Sequence, residues 1–179
     1  MRIISGKYRG LKLADFDVSG VRPTADRVKE SLFNVLYGRV AGAKILDLFC
    51  GSGNLGIECL SRGAESVHFN DISPASIEIL KNNLARLKNP QQFKITNCDY
   101  SVCLSRADKY DLIFIDPPYR LEIGVEALKL IGAGNILNNG GLVVFERDRS
   151  FEGEVAGLAK TDERKYGKTY LTFFEKGEI

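Results

Sequence analysis

Histidine and paired cysteines are scarce in this chain of 179 residues, and their scarcity excludes two classes of function. The only histidine, His68, lies inside a predicted strand, which disfavours Ser-His-Asp and Cys-His hydrolase schemes because that ring would have to serve as the base. The four cysteines, Cys50, Cys59, Cys98 and Cys103, form no Cys-x-x-Cys pair. We therefore expect no metal and no disulfide, and we expect the cysteines to be small buried hydrophobes.

Long hydrophobic runs are missing as well. The longest uncharged apolar runs, such as residues 140–145, are far too short to span a membrane. Residues 1–13 alternate basic and apolar residues and do not resemble a signal peptide. A Gly-x-x-x-x-Gly-Lys-Ser/Thr loop is also absent, which argues against a nucleoside triphosphatase. We expect a cytoplasmic protein.

Positive charge is concentrated at the amino end, although the formal net charge is only +2. Residues 1–30 carry Arg2, Lys7, Arg9, Lys12, Arg22, Arg27 and Lys29 against Asp15, Asp17, Asp26 and Glu30. The middle of the chain is close to balanced. This distribution predicts that the amino end faces phosphates, while the alternative is an ordinary solvated hairpin.

The order of predicted elements indicates a parallel α/β sheet. A hairpin is predicted over residues 1–13, followed by an amphipathic helix over 24–37 with Thr24 as its N-cap. Short apolar runs then alternate with helical patterns. The predicted strands are 45–49, 66–69, 93–96, 111–115 and 142–145, the predicted helices are 54–62, 74–88 and 122–131, and residues 162–166 and 169–175 are predicted to form an antiparallel hairpin.

The tetrapeptide Asp116-Pro117-Pro118-Tyr119 is the most informative motif. It follows the apolar run 111–115, so it is predicted at the carboxyl end of a buried strand, where open α/β sheets bind ligands. Two prolines with nearly fixed φ present their carbonyls rigidly beside the Asp116 carboxylate and the Tyr119 ring. Hydrogen-bond acceptors beside a stacking surface suit a nucleobase with an exocyclic amino group. We predict that these four residues form an amino-group methylation site.

A glycine loop, Gly51-x-Gly53-x-x-Gly56, follows the first strand of the sheet and opens a helix. Its spacing suits either a dinucleotide pyrophosphate or S-adenosylmethionine. Asp47 favours S-adenosylmethionine, because a carboxylate repels a pyrophosphate but accepts hydrogen bonds from the ammonium of a methionine. The alternative role of Asp47 is to hydrogen-bond the backbone of the loop.

Two more acidic residues follow the next strands. Asp71 is placed to accept from ribose hydroxyls, and this role fits either cofactor. Asp99, with Tyr100 beside it, is placed to accept from an adenine amino group, although Asp after a strand is also a common helix cap. The complete set of predicted cofactor-binding residues is Asp47, Phe49, Gly51, Ser52, Gly53, Asn54, Asp71, Ile72, Asp99 and Tyr100.

Taken in order, these motifs make the chain resemble the class I S-adenosylmethionine-dependent methyltransferases, and more narrowly the RsmD family of bacterial ribosomal RNA guanine-N2 methyltransferases. The matching stretches are residues 2–10, 21–34, 46–56, 61–63 and 114–119. The resemblance implies a Rossmann-like, mostly parallel sheet of seven strands with helices on both faces and an antiparallel C-terminal hairpin. It also implies a basic extension over residues 1–40, a hairpin and a helix, ahead of a cofactor-binding core over 41–179.

The resemblance further implies methylation of one guanine of 16S rRNA, in the small ribosomal subunit or a late precursor, by a protein that we expect to be a monomer. The predicted RNA-binding residues are Arg2, Lys7, Arg9 and Lys12 for the phosphates, Arg22, Thr24 and Arg27 near the pocket mouth, and Tyr166 with Lys168 in a turn. The chain departs from the family where Phe69 replaces a usual glutamate, so ribose binding would depend on Asp71 alone. Cys50 replaces a small residue, with no expected consequence.

Three other functions are compatible with parts of this pattern. A DNA adenine-N6 or cytosine-N4 methyltransferase would use the same tetrapeptide, but only about 40 residues remain for reading a duplex. A nucleotide-binding dehydrogenase is disfavoured by Asp47 and by the missing substrate domain. A non-catalytic RNA-binding module with a vestigial pocket is disfavoured by the intact Asp116, Asp47 and loop glycines.

Overall fold

Seven strands form one sheet in the computed structural model of the chain, which describes residues 1–16, 23–106, 108–118 and 122–177. The strand order is β3-β2-β1-β4-β5-β7-β6, in which the first five strands are parallel and β7 runs antiparallel between β5 and β6. The strands are β1 (Lys44–Asp47), β2 (Ser66–Asn70), β3 (Gln92–Thr96), β4 (Tyr110–Ile115), β5 (Leu137–Arg147), β6 (Leu158–Tyr166) and β7 (Thr169–Lys176). This architecture confirms the predicted fold class.

Helices cover both faces of the sheet. The described helices are α1 (Pro23–Val35), α2 (Asn54–Ser61), α3 (Pro74–Ala85), α4 (Tyr100–Ser105) and α5 (Ile123–Ala133). One hydrophobic cluster joins α1, α2 and α3 to the sheet, and we call this side the α1 face. A second cluster joins α4 and α5 to the other side, the α5 face. None of the helices in the described residues is long and apolar enough to cross a membrane.

Helix α4 and the starts of strands β5 and β6 differ from the sequence-based expectation, and β6 begins at Leu158, four residues earlier than predicted. Helix α4 was not predicted, and it begins where Asp99 accepts a hydrogen bond from the Ser101 N–H at 2.9 Å, so Asp99 does act as a helix cap. Strand β5 begins at Leu137, five residues earlier than predicted, although polar residues and Gly140 interrupt its apolar pattern. The early part of β5 is exposed around Asn139, where a strand needs no apolar alternation.

The amino-terminal extension packs on the core as a loop with little strand structure. Its two arms form the predicted hairpin only as a short ladder: one antiparallel bridge joins Arg2 and Lys12, and the backbone N–H groups of Ile3, Gly10 and Leu13 donate across to the opposite arm. Ile3 and Leu13 are buried in the same cluster as α1 and α2. At the bend, Gly6 has a φ of +85°, and a Cβ at that position would lie 1.8 Å from the Ser61 carbonyl oxygen. Close contact with α2 therefore requires glycine there.

Candidate active site

A cleft of about 650 Å³ lies over the carboxyl ends of β1 to β4. Parallel sheets bind ligands at this edge, and the volume is typical of a small-molecule site. Its walls combine strand-end carboxylates with apolar and aromatic side chains. The lining residues are Phe49, Gly51, Asn70, Asp71, Ile72, Ser73, Ser76, Asp99, Tyr100, Asp116, Pro117, Pro118 and Ile123. The cleft thus brings together most of the predicted cofactor residues and the start of the predicted catalytic motif.

The three loop glycines have different structural roles. Gly51 lines the cleft with a φ of +53°, and a Cβ there would meet open space. Gly53 and Gly56 face the interior, where a Cβ would lie 2.4 Å from Leu80 and 2.2 Å from Phe69 respectively. Phe69, the departure from the family pattern, is therefore a packing residue under α2. Only Gly51 among the three opens the backbone towards a ligand.

Asp47 lies beneath the glycine loop and is almost completely buried, with 2% of its surface exposed. Its carboxylate accepts a hydrogen bond from the Gly56 N–H at 2.9 Å. This contact matches the alternative, loop-stabilising role, and Asp47 does not line the cleft. Burial raises the pKa of Asp47 to about 7, against the opposing effect of the Gly56 N–H. Contact with a cofactor ammonium stays a prediction.

Replacing Asp47 by Asn is expected to stabilise the cofactor-free protein at pH 8. The unfolded chain releases the Asp47 proton near its ordinary pKa of 3.8, whereas the folded protein holds it up to about pH 7. The folded state therefore binds more protons in this window, and stability falls as pH rises through it. Asn still accepts from Gly56 but carries no charge. Urea denaturation from pH 4 to 8 should show that the free energy of unfolding of Asp47→Asn increasingly exceeds that of the native protein. The difference should grow to a few kcal/mol, since one pKa unit is worth about 1.4 kcal/mol.

The exposed carboxylate of Asp162 on β6 provides the control for this experiment. The Asp162→Asn variant should show no comparable gain in the free energy of unfolding at pH 8. If Asp47→Asn gave the same difference from the native protein at every pH, ionisation of buried Asp47 would not be the cause of the stability change.

Asp71 connects the two loops at the floor of the cleft. One carboxylate oxygen accepts from the Gly51 N–H at 2.8 Å, and the other accepts from the Ser73 N–H at 2.8 Å. Each oxygen keeps a second lone pair, so the side chain can still accept from a hydroxyl in the cleft. Asp71 therefore orders the glycine loop and stays available to a ligand.

Aromatic and apolar side chains form one wall of the cleft. The Phe49 and Tyr100 rings lie 5.6 Å apart between centroids, and the Tyr100 hydroxyl donates to Glu126 at 2.6 Å. That hydrogen bond, with a smaller effect of burial, raises the pKa of Tyr100 to about 12, so the phenol stays neutral. Ile72, beside Asp71, lines the same cleft and is 66% exposed. Apolar surfaces of this kind suit a flat ring.

The Asp116-Pro117-Pro118 segment enters the cleft directly after β4. Gly124 of α5 packs so closely on Pro117 that a Cβ would lie 2.7 Å from its ring, which holds the segment against the sheet. Burial, followed by the charges of Glu146 and Asp47, raises the pKa of the Asp116 carboxyl well above its usual range. Tyr119 lies outside the described residues, so its stacking role stays a prediction.

Ser52 and Asn54, predicted to bind the cofactor, direct their side chains to the amino-terminal extension. The Ser52 hydroxyl donates to Asp15 at 3.1 Å, and Asn54 accepts from the Lys29 ammonium at 2.8 Å. Neither residue lines the cleft, and Gly53 does not line it either. The sequence pattern of the loop did not separate residues that face a ligand from residues that hold the loop to its neighbours.

Basic residues of the extension line a second depression, which we call the N-terminal groove. It has a volume of about 760 Å³ and lies between the extension and α1. The charged residues in its walls are Arg2, Arg9, Lys12, Arg27, Asp26 and Glu30. Arg2 pairs with Asp26 at 3.2 Å and stays 63% exposed, so the groove carries net positive charge at its surface.

The other predicted RNA-binding residues are placed differently. The Lys7 ammonium donates to the Asn89 carbonyl at 2.7 Å and does not line the groove. Tyr166 packs partly buried against the core at the end of β6. Arg22 and the side chain of Thr24 lie outside the described residues. The described residues that support a phosphate-binding surface are therefore the four basic residues of the groove.

Four residues of the cleft were not predicted from sequence. Asn70, at the end of β2, donates to the carbonyls of Leu48 and Cys98, both at 3.2 Å, and so ties together the ends of neighbouring strands. The other three are Ser73, Ser76 and Ile123. A helix-cap pattern did mark Ser73, which accepts from the Ser76 N–H, but this pattern does not show that a cap faces a ligand. Within the described ranges, no group of three or more potential metal ligands occurs.

Comparison with known proteins adds to this geometry. A family model described as Conserved hypothetical protein 95 matches residues 1–175. The chain is 37% identical to Ribosomal RNA small subunit methyltransferase D of Haemophilus influenzae, over 83% of this chain and 79% of the relative. It is 36% identical to the protein of the same name from Escherichia coli strain K12, over 83% of this chain and 75% of that relative. The solved structure of yhhF from Escherichia coli superimposes with a TM-score of 0.87, at 32% identity over 98% and 97% of the two chains.

Proposed function

We propose that this protein methylates the N2 amino group of one guanine in 16S rRNA. The chain belongs to the Conserved hypothetical protein 95 family, which includes the small-subunit rRNA methyltransferases D. This is the RsmD family that the sequence motifs resemble. It is a methyltransferase, and its cofactor is S-adenosylmethionine. The observation that carries the finer proposal is the position of Asp116 and Pro117 in the same cleft as the strand-end carboxylates Asp71 and Asp99.

The residues of the cleft fit this cofactor. Asp71 and Asp99 present carboxylate oxygens to hydroxyl and amino groups, and Gly51 lets the ligand approach the backbone. Phe49 and Ile72 supply apolar surface for a ring. When bound, S-adenosylmethionine supplies a methyl group on a positively charged sulfur. We further propose that residues 41–179 hold it while residues 1–40 contact RNA.

Asp116 and the Pro117 carbonyl act on the amino group of the target base. Conjugation with the ring delocalises the lone pair of that nitrogen, so the site must localise it before a methyl group can be accepted. Acceptance of both amino hydrogens, one by Asp116 and one by Pro117, draws the nitrogen towards tetrahedral geometry. As the nitrogen–carbon bond forms and the carbon–sulfur bond breaks, Asp116 takes the surplus proton, a role that suits its raised pKa.

Methyl transfer from radiolabelled S-adenosylmethionine to three substrates tests the proposed function. The substrates are small ribosomal subunits that lack the modification, naked 16S rRNA and duplex DNA, and nucleosides of each product are separated. N2-methylguanosine from subunits is the expected result, and it would make the assembled particle or a late intermediate the substrate. Label in DNA as a methylated adenine or cytosine would preserve the chemistry of Asp116 but overturn the assignment of guanine in rRNA.

The N-terminal groove supports RNA as the substrate. Arg9 and Lys12 are exposed in its wall, and the same groove reaches α1 through Arg27. A guanine in structured RNA must leave its stack to reach the cleft, which costs a few kcal/mol. Contacts of the groove with flanking phosphates offset that cost.

Replacing Arg9 and Lys12 together by Gln is expected to weaken RNA binding and its dependence on salt. Each lost phosphate contact lowers the slope of log affinity against log salt concentration by about 0.7 to 0.9, so two contacts lower it by about 1.4 to 1.8. Titration of RNA at several salt concentrations measures this slope, and calorimetry should find cofactor affinity unchanged.

Lys94 and Lys109 provide a matched control, since both line a depression at the amino ends of the strands, away from the cleft. The variant with both of these lysines replaced by Gln should keep the slope of the native protein. Equal slopes for native protein and for the Arg9→Gln/Lys12→Gln variant would mean that the groove does not bind phosphates.

A further inference from the structure

The amino-terminal extension and the glycine loop share one buried side chain, the amide of Asn83 on α3. Asn83 is fully buried. Its amide oxygen accepts from the Ala14 N–H at 2.8 Å, and its amide nitrogen donates to the Ala14 carbonyl and to the Ser52 carbonyl, both at 2.9 Å. One residue of the extension and one residue of the glycine loop are therefore held by the same group.

Ala14 depends on Asn83 for its position. Residues 14–16 lie outside the helices and strands, and the Ala14 side chain is exposed, so core packing does not hold this segment. Both polar groups of the Ala14 backbone are bonded to the Asn83 amide. Lys12, two residues earlier, lines the N-terminal groove. A phosphate bound by Lys12 would therefore restrain the segment that Asn83 holds.

Ser52 lies on the cofactor side of this connection. It directly follows Gly51, the loop glycine that lines the cleft. The Ser52 carbonyl accepts from Asn83, and the Ser52 hydroxyl donates to Asp15 of the extension at 3.1 Å. The Gly51 N–H donates to Asp71 at 2.8 Å. The part of the loop that faces the cofactor is thus held by Asp71 in the cleft and by Asn83 on the side of the extension.

The other arm of the extension reaches the glycine loop as well. The buried Lys29 ammonium donates to the Arg2 carbonyl and, at 2.8 Å, to the Asn54 side chain. Arg2 lines the N-terminal groove and forms the backbone bridge with Lys12. Both arms that form the groove therefore contact the glycine loop through a buried side chain, Asn83 for one arm and Lys29 for the other.

We infer that Asn83 is a positioning residue that couples RNA binding in the N-terminal groove to cofactor binding at the glycine loop, an inference that rests on the function proposed above. Either ligand restrains a segment that Asn83 joins to the other. The ligand that binds second therefore meets a site that is already ordered, and it loses less conformational entropy. Such coupling is reciprocal, so RNA strengthens cofactor binding by the same factor by which the cofactor strengthens RNA binding.

Equilibrium dialysis with radiolabelled S-adenosylhomocysteine, which lacks the methyl group that is transferred, measures this coupling. The Kd of this analogue is determined without RNA and with saturating small ribosomal subunits that lack the modification. For the native protein, subunits should lower the Kd by about 10-fold, within the usual range of coupling between two sites. In Asn83→Ala the decrease should be less than about 3-fold, because the carbonyls of Ala14 and Ser52 lose their shared donor.

A second variant, Asn83→Asp, keeps the shape of the side chain and the acceptor for the Ala14 N–H but removes both donated hydrogen bonds. It should show the same small decrease, and it tests the inference if Asn83→Ala does not fold. Asn82 is exposed on the same helix, so Asn82→Ala and Asn82→Asp are matched controls that should keep the native ratio. Each ratio compares two Kd values of the folded molecules in one sample, so a loss of stability alone does not change it.

A native Kd that bound subunits leave unchanged would overturn the coupling. A native ratio in the Asn83 variants would overturn the role of Asn83. In both cases the proposed function stands as long as subunits yield N2-methylguanosine. If the native protein neither bound nor methylated the subunits, the proposed function would fail, and the inference with it.

Discussion

Replacing Asp116 by Ala is expected to lower kcat for methyl transfer by about 100- to 1,000-fold. Removal of one preorganised hydrogen-bonding group that acts on charge development in a transition state has an effect of this size. The Ala variant keeps the Pro117 carbonyl but loses the acceptor for the second amino hydrogen and for the proton that leaves the nitrogen. Single-turnover measurement of methyl transfer to small subunits determines the loss in the chemical step.

Cofactor affinity is expected to change little in the same variant. Asp71 accepts from the backbone on both sides of the cleft floor and does not depend on Asp116. The kcat of Asp116→Asn should lie between those of Asp116→Ala and the native protein, because an amide oxygen still accepts one hydrogen bond but takes a proton poorly. A large loss of cofactor affinity with kcat unchanged would contradict the proposed role of Asp116 and would make it a cofactor-binding residue.

Asp111, at the amino end of the same strand, is the matched control. Its carboxylate accepts from the Lys44 N–H at 2.8 Å and from Asn138 at 2.7 Å, far along β4 from the cleft. Asp111→Ala should lower stability and leave kcat per folded molecule near the native value. Calorimetric titration with cofactor counts the folded molecules in each sample.

The position of the cleft was predictable because strand ends are marked locally in the sequence. Apolar runs followed by Asp71, Asp99 and Asp116 indicated three carboxylates at one edge of a parallel sheet, and all three line the cleft. The orientation of single side chains within the glycine loop was not predictable. Ser52 and Asn54 turn to partners in the extension, and those partners are separated from them by 37 and 25 residues in sequence.

Helices and strands were predictable where apolar side chains repeat or alternate along the sequence. They were missed or overestimated where an element is too short for such a pattern, or where contacts with another element replace the pairing of neighbouring backbone segments. Helix α4 is only six residues long, too short for a periodic pattern, and it forms because Asp99 caps it and its apolar face packs on the α5 face. The extension shows the opposite case. An alternating pattern predicted a hairpin, but contacts of Ile4 and Ser5 with α2 replace most of the ladder between its arms.

The largest loss of stability is expected for Glu58→Ala. Glu58 is completely buried in α2. Its carboxylate accepts from the Ile4 N–H at 2.8 Å and the Ser5 N–H at 3.0 Å, and it pairs with Lys29 at 3.3 Å and Arg62 at 2.8 Å. The Ala variant leaves the ammonium of Lys29, which is 2% exposed, without its carboxylate. Loss of one partner of a buried ion pair lowers the free energy of unfolding by about 3 to 5 kcal/mol.

Denaturation by urea measures this loss, and hydrogen exchange at the Ile4 and Ser5 amides shows whether the extension detaches. Glu65→Gln is the control, because Glu65 pairs with Lys44 at an exposed position and the change should stay within about 0.5 kcal/mol. A loss below about 1 kcal/mol for Glu58→Ala would mean that water or rearrangement replaces the buried carboxylate.

The double variant Lys29→Met/Glu58→Leu separates charge from hydrogen bonding. Replacement of a whole buried ion pair by apolar side chains is often neutral, so this variant should recover the part of the loss caused by the unpaired Lys29. It cannot recover the part caused by the Ile4 and Ser5 N–H groups and by the Arg62 guanidinium, which stay without their acceptor. We therefore expect partial recovery of stability with persistent fast exchange at these two amides. Because the extension carries Arg9 in the N-terminal groove, RNA affinity should be lower in the double variant than in the native protein.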